Sequence, residues 1–352
     1  MKSKTIWLII ILILIAGSIY YLQSTRVAPV ETINQQISAG PELFGIEGYL
    51  NTPGGLTLES LKGKTVLVDF WTYSCINCIR TLPFLTEWDR KYRDKGLVIV
   101  GVHTPEFEFE KDIDNVRDAV VKYNIKYPVV LDNNYTTWVA FGNRFWPHKY
   151  LINPEGQIVY DHIGEGGYEE TELKIQELLS EMGEDVSGTE TTKENDELRL
   201  VTTPELYTGF DFALPRGQDI GNPEGLHPDK SVLYSLPTNF AENAIYLSGL
   251  WKSNSDNLEL KDSNGSVVLR FKASSLNIVA NSPRSQQIEV FIEDSPLKEE
   301  QAGEDVIFQN GRAFVKIDNP RLYNVVDGKF GDYKLELKIP SEGFTFNAFT
   351  FG

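Results

Sequence analysis

The residues whose types and spacing could carry chemistry most directly are Cys75 and Cys78, the only two cysteines in the 352-residue sequence. Their Cys-x-x-Cys spacing closes a small ring across the first turn of a helix, where a disulfide can form and break without refolding the chain. A helix N-terminus provides unpaired N–H groups and the positive end of the helix dipole, which stabilise a thiolate on Cys75. The pattern therefore predicts a redox-active Cys75–Cys78 disulfide that exchanges with other proteins.

Two other interpretations of the cysteine pair are open at this point. A zinc site needs further ligands, but no second cysteine pair exists and the four histidines are scattered along the chain. A purely structural disulfide would close a loop with two intervening residues, where stabilisation by loop closure is smallest. We therefore expect no metal, and the sequence indicates no cofactor.

The elements that must position the pair are a strand before it and a helix after it. The run 66–71 is apolar and β-branched, with one acid, Asp69, inside it. We expect Cys75 to attack and the more buried Cys78 to resolve the mixed disulfide. Because burial raises the pKa of a carboxyl group, Asp69 is the candidate base for Cys78. The alternative is that Asp69 faces a polar pocket and only tunes the redox potential.

The motif Val-Asp-Phe-Trp-x-x-x-Cys-x-x-Cys, followed by Pro83, resembles that of the thioredoxin superfamily. Within it, residues 71–83 are similar to the TlpA-like branch, and most similar to the soluble C-terminal part of DipZ-type thiol–disulfide proteins. The stretches 101–106, 131–135 and 164–166 support this resemblance. It covers about residues 40–182 and is weaker beyond residue 200.

The resemblance implies further site residues. Thioredoxin-like proteins place a cis proline opposite the cysteine pair, and Trp146-Pro147 lies at the matching place. The residue before that proline offers backbone groups to the substrate chain. Trp71 and Tyr73 flank the cysteines, and we expect them to form an apolar docking rim.

The other polar candidates give weaker signals. His103 is expected to end a core strand, and His148 follows the proline and could tune the site electrostatically. Glu106, Glu108 and Glu110 alternate with phenylalanines, a pattern that indicates a solvated face.

Length and charge limit the class of protein. A chain of 352 residues suggests two domains, since single cores rarely exceed roughly 300 residues. With 33 basic and 50 acidic residues, the net charge is −17, which argues against nucleic acid as a partner.

The N-terminal sequence is typical of an export segment. We expect a cytoplasmic stub at 1–5, a transmembrane anchor at 6–22 and a polar tether at 23–42. Lys2 and Lys4 place the start in the cytoplasm by the positive-inside rule. A cleaved signal peptide is the alternative. Either way, the bulk of the chain is expected outside the cytoplasm, at the cell membrane.

Two folded domains are expected after the tether. Helical and strand patterns alternate over 43–182, which with the resemblance predicts an α/β thioredoxin-like domain with a central mixed sheet flanked by helices. Residues 183–199 read as an acidic, solvated linker. From 200 to 352, short alternating strands and turn residues predict an all-β sandwich.

These features predict a membrane-anchored extracytoplasmic thiol–disulfide oxidoreductase acting on exported proteins with thiols or disulfides. By resemblance, it acts as a reductant supplied by a CcdA- or DsbD-like membrane electron donor. A disulfide-forming oxidase is one alternative, and a glycan- or protein-binding surface protein with a vestigial redox domain is another. The resemblance also suggests a glycan ligand for the C-terminal domain, with candidate rings Tyr246, Trp251, Tyr323 and Tyr333 and polar partners Asn254, Asp256 and Asn324.

Overall fold

The computed structural model of the protein describes residues 42–193 and 201–352. The first of these ranges contains six strands and four α-helices. The strands are β1 (Gly48–Leu50), β2 (Thr65–Trp71), β3 (Leu97–His103), β4 (Val129–Leu131), β5 (His148–Ile152) and β6 (Ile158–Ile163). The helices are α1 (Ile76–Tyr92), α2 (Ile113–Lys122), α3 (Thr136–Ala140) and α4 (Tyr168–Glu181), with short 3-10 turns at Glu59–Leu61, Arg93–Lys95 and Glu108–Lys111.

Within the described residues, these strands form one mixed sheet in the order β1-β4-β3-β2-β5-β6. Strand β2 lies in the middle, parallel to β3 and antiparallel to β5. All seven of its residues are buried, as expected for a strand covered on both faces. The predicted thioredoxin-like α/β arrangement is confirmed, and it places the end of β2 and the start of α1 at the same edge of the sheet.

The second range is β-rich and almost entirely antiparallel. Its strands are β7 (Leu206–Tyr207), β8 (Ser231–Tyr234), β9 (Ile245–Ser253), β10 (Leu258–Leu260), β11 (Gly265–Asn281), β12 (Gln286–Ile292), β13 (Ser295–Pro296), β14 (Val306–Gln309), β15 (Arg312–Ile317), β16 (Arg321–Ile339) and β17 (Thr345–Phe351). A short helix, α5 (Phe210–Ala213), and 3-10 turns at Leu214–Arg216 and Glu299–Gln301 complete this part.

These strands form one continuous hydrogen-bonded sheet that folds over a single core, where a two-sheet sandwich was expected. The two longest strands, β11 and β16, pair with each other along most of their length. The first part of β11 also pairs with β9, and its last part with β17. Register shifts near Ala273 and Leu276 separate these parts, because a bulge bends the strand and increases its twist.

Residues 42–193 and 201–352 belong to one compact unit and pack against each other. An apolar cluster joins Phe107 and Ile76 of the thioredoxin-like domain to Val279, Leu322 and Ala348 of the C-terminal domain. The contact covers the region around the start of α1, which carries the cysteine motif.

The predicted linker differs from the structure in its first part. Val186 is buried in the thioredoxin-like core. Gln176 donates to the Thr189 carbonyl at 3.1 Å, and the Thr192 N–H donates to Glu172 at 2.7 Å. Residues 183–193 therefore pack against the thioredoxin-like domain, because one aliphatic side chain and backbone hydrogen bonds suffice to hold an otherwise polar segment.

The predicted cytoplasmic stub (1–5), anchor (6–22) and nearly all of the tether (23–42) lie outside the described residues. Among the residues that are described, no helix combines the length and the apolar character needed to cross a bilayer.

Candidate redox site

The cysteine pair lies where strand β2 leads into helix α1. Cys75 is the N-cap of α1, with extended backbone, and its Sγ accepts a hydrogen bond from the Cys78 N–H at 3.3 Å. Both residues are free thiols in the structure. Cys75 is half-buried, whereas Cys78 is 1% exposed. A partner therefore reaches Cys75 first, and Cys78 lies one helical turn behind it.

Burial makes Cys78 difficult to ionise. It raises the pKa of the Cys78 thiol well above its ordinary value, with further contributions from Cys75 and from the charge of Asp69. Attack by Cys78 on a mixed disulfide requires loss of this proton, since the thiolate is the nucleophile. A proton acceptor behind the pair would thus assist the reaction.

Asp69 is placed to influence that proton. The carboxyl group is 1% exposed, and its Oδ1 has no hydrogen-bond partner in the structure. Burial raises the pKa of Asp69 to about 7, and the nearby charge of Lys149 lowers it in part. A carboxyl group with this pKa takes up and returns a proton near neutral pH, as a general base must.

Lys149 is a buried cation at this site that was not predicted from the sequence. It faces Asp69 across the antiparallel β2–β5 pair and is fully buried. Its Nζ donates to the Gly164 and Gly166 carbonyls at 3.2 and 3.3 Å. A lysine inside an apolar strand was the available signal, but only the strand register shows that it faces the acid.

Replacement of Lys149 by Met should raise the pKa of Asp69 further, because the replacement removes a positive charge but keeps a long apolar side chain. We expect the midpoint of the Asp69 titration to move to higher pH, and Lys149→Arg to stay near the wild-type value. NMR titration with carboxyl-labelled aspartate measures this midpoint. An unchanged midpoint in Lys149→Met would show that the two side chains are not electrostatically coupled.

Trp146 lies near Cys75, and Pro147 directly precedes strand β5. The Trp146–Pro147 peptide bond is cis. The Trp146 indole N–H donates to the Thr104 carbonyl at 3.0 Å, which fixes the ring. Trp146 and Cys75 line the same narrow cleft of about 50 Å³.

The cleft lies between the two domains. Glu205, Tyr207, Val279, Ala348 and Thr350 of the C-terminal domain line one side of it, opposite Cys75 and Trp146. Its volume is that of one or two water molecules, so the tip of a side chain is the most it accepts without opening.

The predicted docking rim of Trp71 and Tyr73 is wrong. Trp71 has no exposed surface, because strand β2 is covered on both faces. Tyr73 is 4% exposed, since its ring stacks on His103 and its hydroxyl donates to the Pro320 carbonyl of the C-terminal domain. Both rings are packed inside the protein next to the site, so other residues must contact the substrate.

The acidic stretch after β3 also differs from the prediction of a solvated face. Glu108 is exposed, but Glu110 is fully buried. Glu110 accepts hydrogen bonds from the Ser74 hydroxyl and from the Glu106 and Phe107 backbone N–H groups. The three-residue spacing of Phe107 and Glu110 was the missed signal, because it makes Glu110 the third residue of the 3-10 turn, where its carboxylate accepts from the N-cap backbone. Glu106 lines the cleft with Cys75.

The two candidate histidines, His103 and His148, are buried. His103 is the last residue of β3, as predicted, and burial lowers its pKa to about 3. His148 contacts Asn143 and Asp161 at 2.7 and 2.9 Å.

The aromatic residues considered for glycan binding are unsuited to it. Trp251 and Tyr323 have no exposed surface, and Tyr246 is 5% exposed. Tyr333 packs against the core of the C-terminal domain. Trp251 and Tyr323 lie in the core, Tyr246 is covered by Phe240, and Tyr333 is partly buried, so these rings do not offer a sugar one open aromatic face.

A buried acid in the strand before Cys-x-x-Cys at a helix start, with a cis proline preceding strand β5, defines the thioredoxin-like class of thiol–disulfide oxidoreductases. Comparison with known proteins agrees with that class. A family model described as Redoxin matches residues 47–179, and one described as thioredoxin like C-terminal domain matches residues 203–352.

Two relatives and one solved structure are representative. The chain is 33% identical over 326 residues to Protein DipZ of Mycobacterium tuberculosis, covering 90% of this chain and 43% of DipZ. It is 32% identical over 142 residues to the thiol-disulfide oxidoreductase YkuV of Bacillus subtilis, covering 40% of this chain and 94% of YkuV. The solution structure of an oxidized thioredoxin-like protein matches with a TM-score of 0.37 and 32% identity, over 40% of this chain and 94% of that one.

The chain belongs to the thioredoxin-like family that includes YkuV, with a Redoxin domain at residues 47–179 followed by a thioredoxin like C-terminal domain at residues 203–352. It spans 43% of the length of the DipZ relative, and its similarity to that protein extends through both domains.

Proposed function

We propose that the protein is a membrane-anchored, extracytoplasmic thiol–disulfide oxidoreductase that reduces disulfides in exported proteins through Cys75 and Cys78. The observation that carries this proposal is the asymmetry of the pair. Cys75 opens into the cleft, whereas Cys78 is buried in front of the unpartnered carboxylate oxygen of Asp69. An accessible attacking thiol and a protected resolving thiol are what a two-step exchange requires.

Burial favours the neutral Cys78 thiol, which suits a resolving cysteine in either direction of electron flow. The proposed direction, reduction of a partner, follows from the resemblance of the cysteine motif to TlpA-like and DipZ-type proteins.

The proposed location and electron source rest on the sequence and on relatives. Residues 6–22 carry no charge and follow Lys2 and Lys4, which suits a single-pass anchor. The DipZ relative is more than twice as long as its aligned segment. We propose that a CcdA- or DsbD-like membrane transporter supplies electrons to this chain.

Thiol trapping in cells tests the direction. We expect Cys75 and Cys78 to be reduced after rapid acid quenching and alkylation, and to become oxidised when the transporter gene is deleted. The Cys75→Ser/Cys78→Ser double variant provides the fully unreactive reference. A pair that is oxidised in cells with an intact transporter would contradict the reductant proposal and favour a disulfide-forming oxidase.

A further inference from the structure

Tyr207 of the C-terminal domain reaches across the domain boundary into the redox cleft. Its hydroxyl oxygen lies 2.8 Å from Glu106 Oε1 and 3.2 Å from Glu205 Oε2. Glu106 belongs to the thioredoxin-like domain and Glu205 to the C-terminal domain. All three side chains line the cleft with Cys75. We refer to Glu106, Glu205 and Tyr207 as the carboxyl cluster.

The number of protons in the carboxyl cluster follows from its hydrogen bonds. A phenol has one proton, so the Tyr207 hydroxyl donates to one carboxylate at a time. The other carboxyl group forms a hydrogen bond with the same oxygen only if it donates a proton of its own. Two ionised carboxylates on one phenol would leave one contact without a proton. A proton on one of the two glutamates satisfies both contacts, and the geometry favours that state.

The surroundings of the carboxyl cluster also favour a protonated glutamate. Burial, together with the charges of Glu110 and Glu205, raises the pKa of Glu106 to about 8, against smaller opposing effects of Tyr207 and Arg216. The Arg216 guanidinium is exposed and lies over the Tyr207 ring at 4.4 Å.

Tyr207 is held in position from its backbone. Its N–H donates to the Gln218 side chain at 2.9 Å, and the Gln218 amide donates to the Glu205 carbonyl at 2.7 Å. The ring of Tyr207 also stacks on Phe212. Tyr207 thus presents its hydroxyl to Glu106 from a fixed direction.

We propose that the carboxyl cluster stores a proton beside Cys75 and delivers it, from Glu106, to the thiolate that leaves a substrate disulfide. In this step the Cys75 thiolate forms a bond to one substrate sulfur and the substrate S–S bond breaks. The electron pair of that bond stays on the second sulfur, which takes the proton. Water then reprotonates the cluster. Tyr207 and Glu205 act as positioning residues, so the C-terminal domain completes the redox site.

This proposal rests on the proposed thiol–disulfide exchange. Two small disulfide substrates distinguish failure of proton delivery from failure of the exchange itself. Hydroxyethyl disulfide releases a basic alkyl thiolate that benefits from a proton. A nitrobenzoate aryl disulfide releases a stable thiolate that does not. The measured quantity is the ratio of their second-order rate constants, alkyl over aryl, with the reduced full-length protein from about pH 6 to about pH 10.

The wild-type ratio should fall as the pH rises through about 8, where Glu106 loses its proton. Glu205→Gln removes a negative neighbour and should move this fall to lower pH. Tyr207→Phe removes a hydrogen bond to ionised Glu106 and should move it to higher pH. Each shift should be about one pH unit. Glu106→Gln should lower the ratio about 10-fold or more at neutral pH and remove the fall.

Tyr333→Phe is the matched control, since that hydroxyl donates only to the Lys329 carbonyl at the surface. It should follow the wild-type profile. The proposed role of the carboxyl cluster would be overturned by a wild-type ratio without a fall near pH 8. It would also be overturned if the shifts of Glu205→Gln and Tyr207→Phe were absent or in the same direction. Wild-type protein that reacts with neither disulfide would instead overturn the exchange function.

Discussion

Replacement of Cys75 by Ser should abolish disulfide exchange, whereas Cys78→Ser should stop the reaction at the mixed disulfide. Cys75 is the cysteine that opens into the cleft, and Cys78 is 1% exposed. Serine keeps the size of the side chain but is a far weaker nucleophile than a thiolate at neutral pH. We expect turnover to fall by at least about 1,000-fold in either variant.

The two variants differ in what they capture. Cys78→Ser should accumulate mixed disulfides with partner proteins on non-reducing gels, and Cys75→Ser should accumulate none. The double variant is the matched control for non-specific capture, and thermal unfolding checks that each variant is folded. Equal capture by Cys75→Ser would show that the roles of the two cysteines are reversed.

Replacement of Asp69 by Asn should slow resolution of the mixed disulfide, and the effect should depend on pH. The pKa of Asp69 is about 7, so its carboxylate is available as a base above that pH and is protonated below it. Wild-type and variant should therefore resolve at similar rates well below pH 7. Above it, we expect the variant to be slower by about 100-fold, the typical contribution of a general base.

Rapid-quench kinetics of a preformed mixed disulfide on Cys75 measures this resolution step directly. Asp114→Asn is a suitable control, because Asp114 is an exposed carboxylate on helix α2. The control should leave the pH profile unchanged. A profile of Asp69→Asn that matches wild type at every pH would remove Asp69 from the mechanism.

Asp69→Asn should also stabilise the folded state. Asp69 has a pKa of about 7 when folded and 3.8 in the reference state, so the folded state binds its proton more tightly. Folding is therefore disfavoured by Asp69 ionisation as pH rises from about 4 to about 7, and the penalty is constant above that range. The corresponding free energy is on the order of 4 kcal/mol. Chemical denaturation at about pH 8 should show the larger gain for Asp69→Asn, and at about pH 4 a much smaller one.

The contact between domains changes the interpretation of the C-terminal domain. Its strands supply one wall of the cleft, and the Tyr73 hydroxyl donates to the Pro320 carbonyl across the boundary. Two of the rings considered for sugar stacking, Trp251 and Tyr323, belong to its core. The C-terminal domain is therefore better described as part of the redox site than as a separate binding module.

The sequence by itself determined the strand, the cysteine pair and the helix that follows. Apolar runs and helical spacing are local properties, so β2 was predicted to within one residue and a helix was predicted directly after the cysteine pair, where α1 begins. Cys75 as N-cap, Cys78 one turn later and Asp69 in the preceding strand follow from the same short stretch. The position of Pro147 came from the resemblance.

Only the tertiary structure decided which side chains are accessible and which charges meet. Lys149 lies opposite Asp69 because β5 pairs with β2, a register that no local pattern specifies. Tyr207 meets Glu106 across 101 residues of sequence, because the C-terminal domain folds onto the cleft. The same packing buries Tyr73, which a sequence pattern placed on the surface. Burial and electrostatic coupling depend on contacts between distant segments, and the periodicity of a single segment carries no information about them.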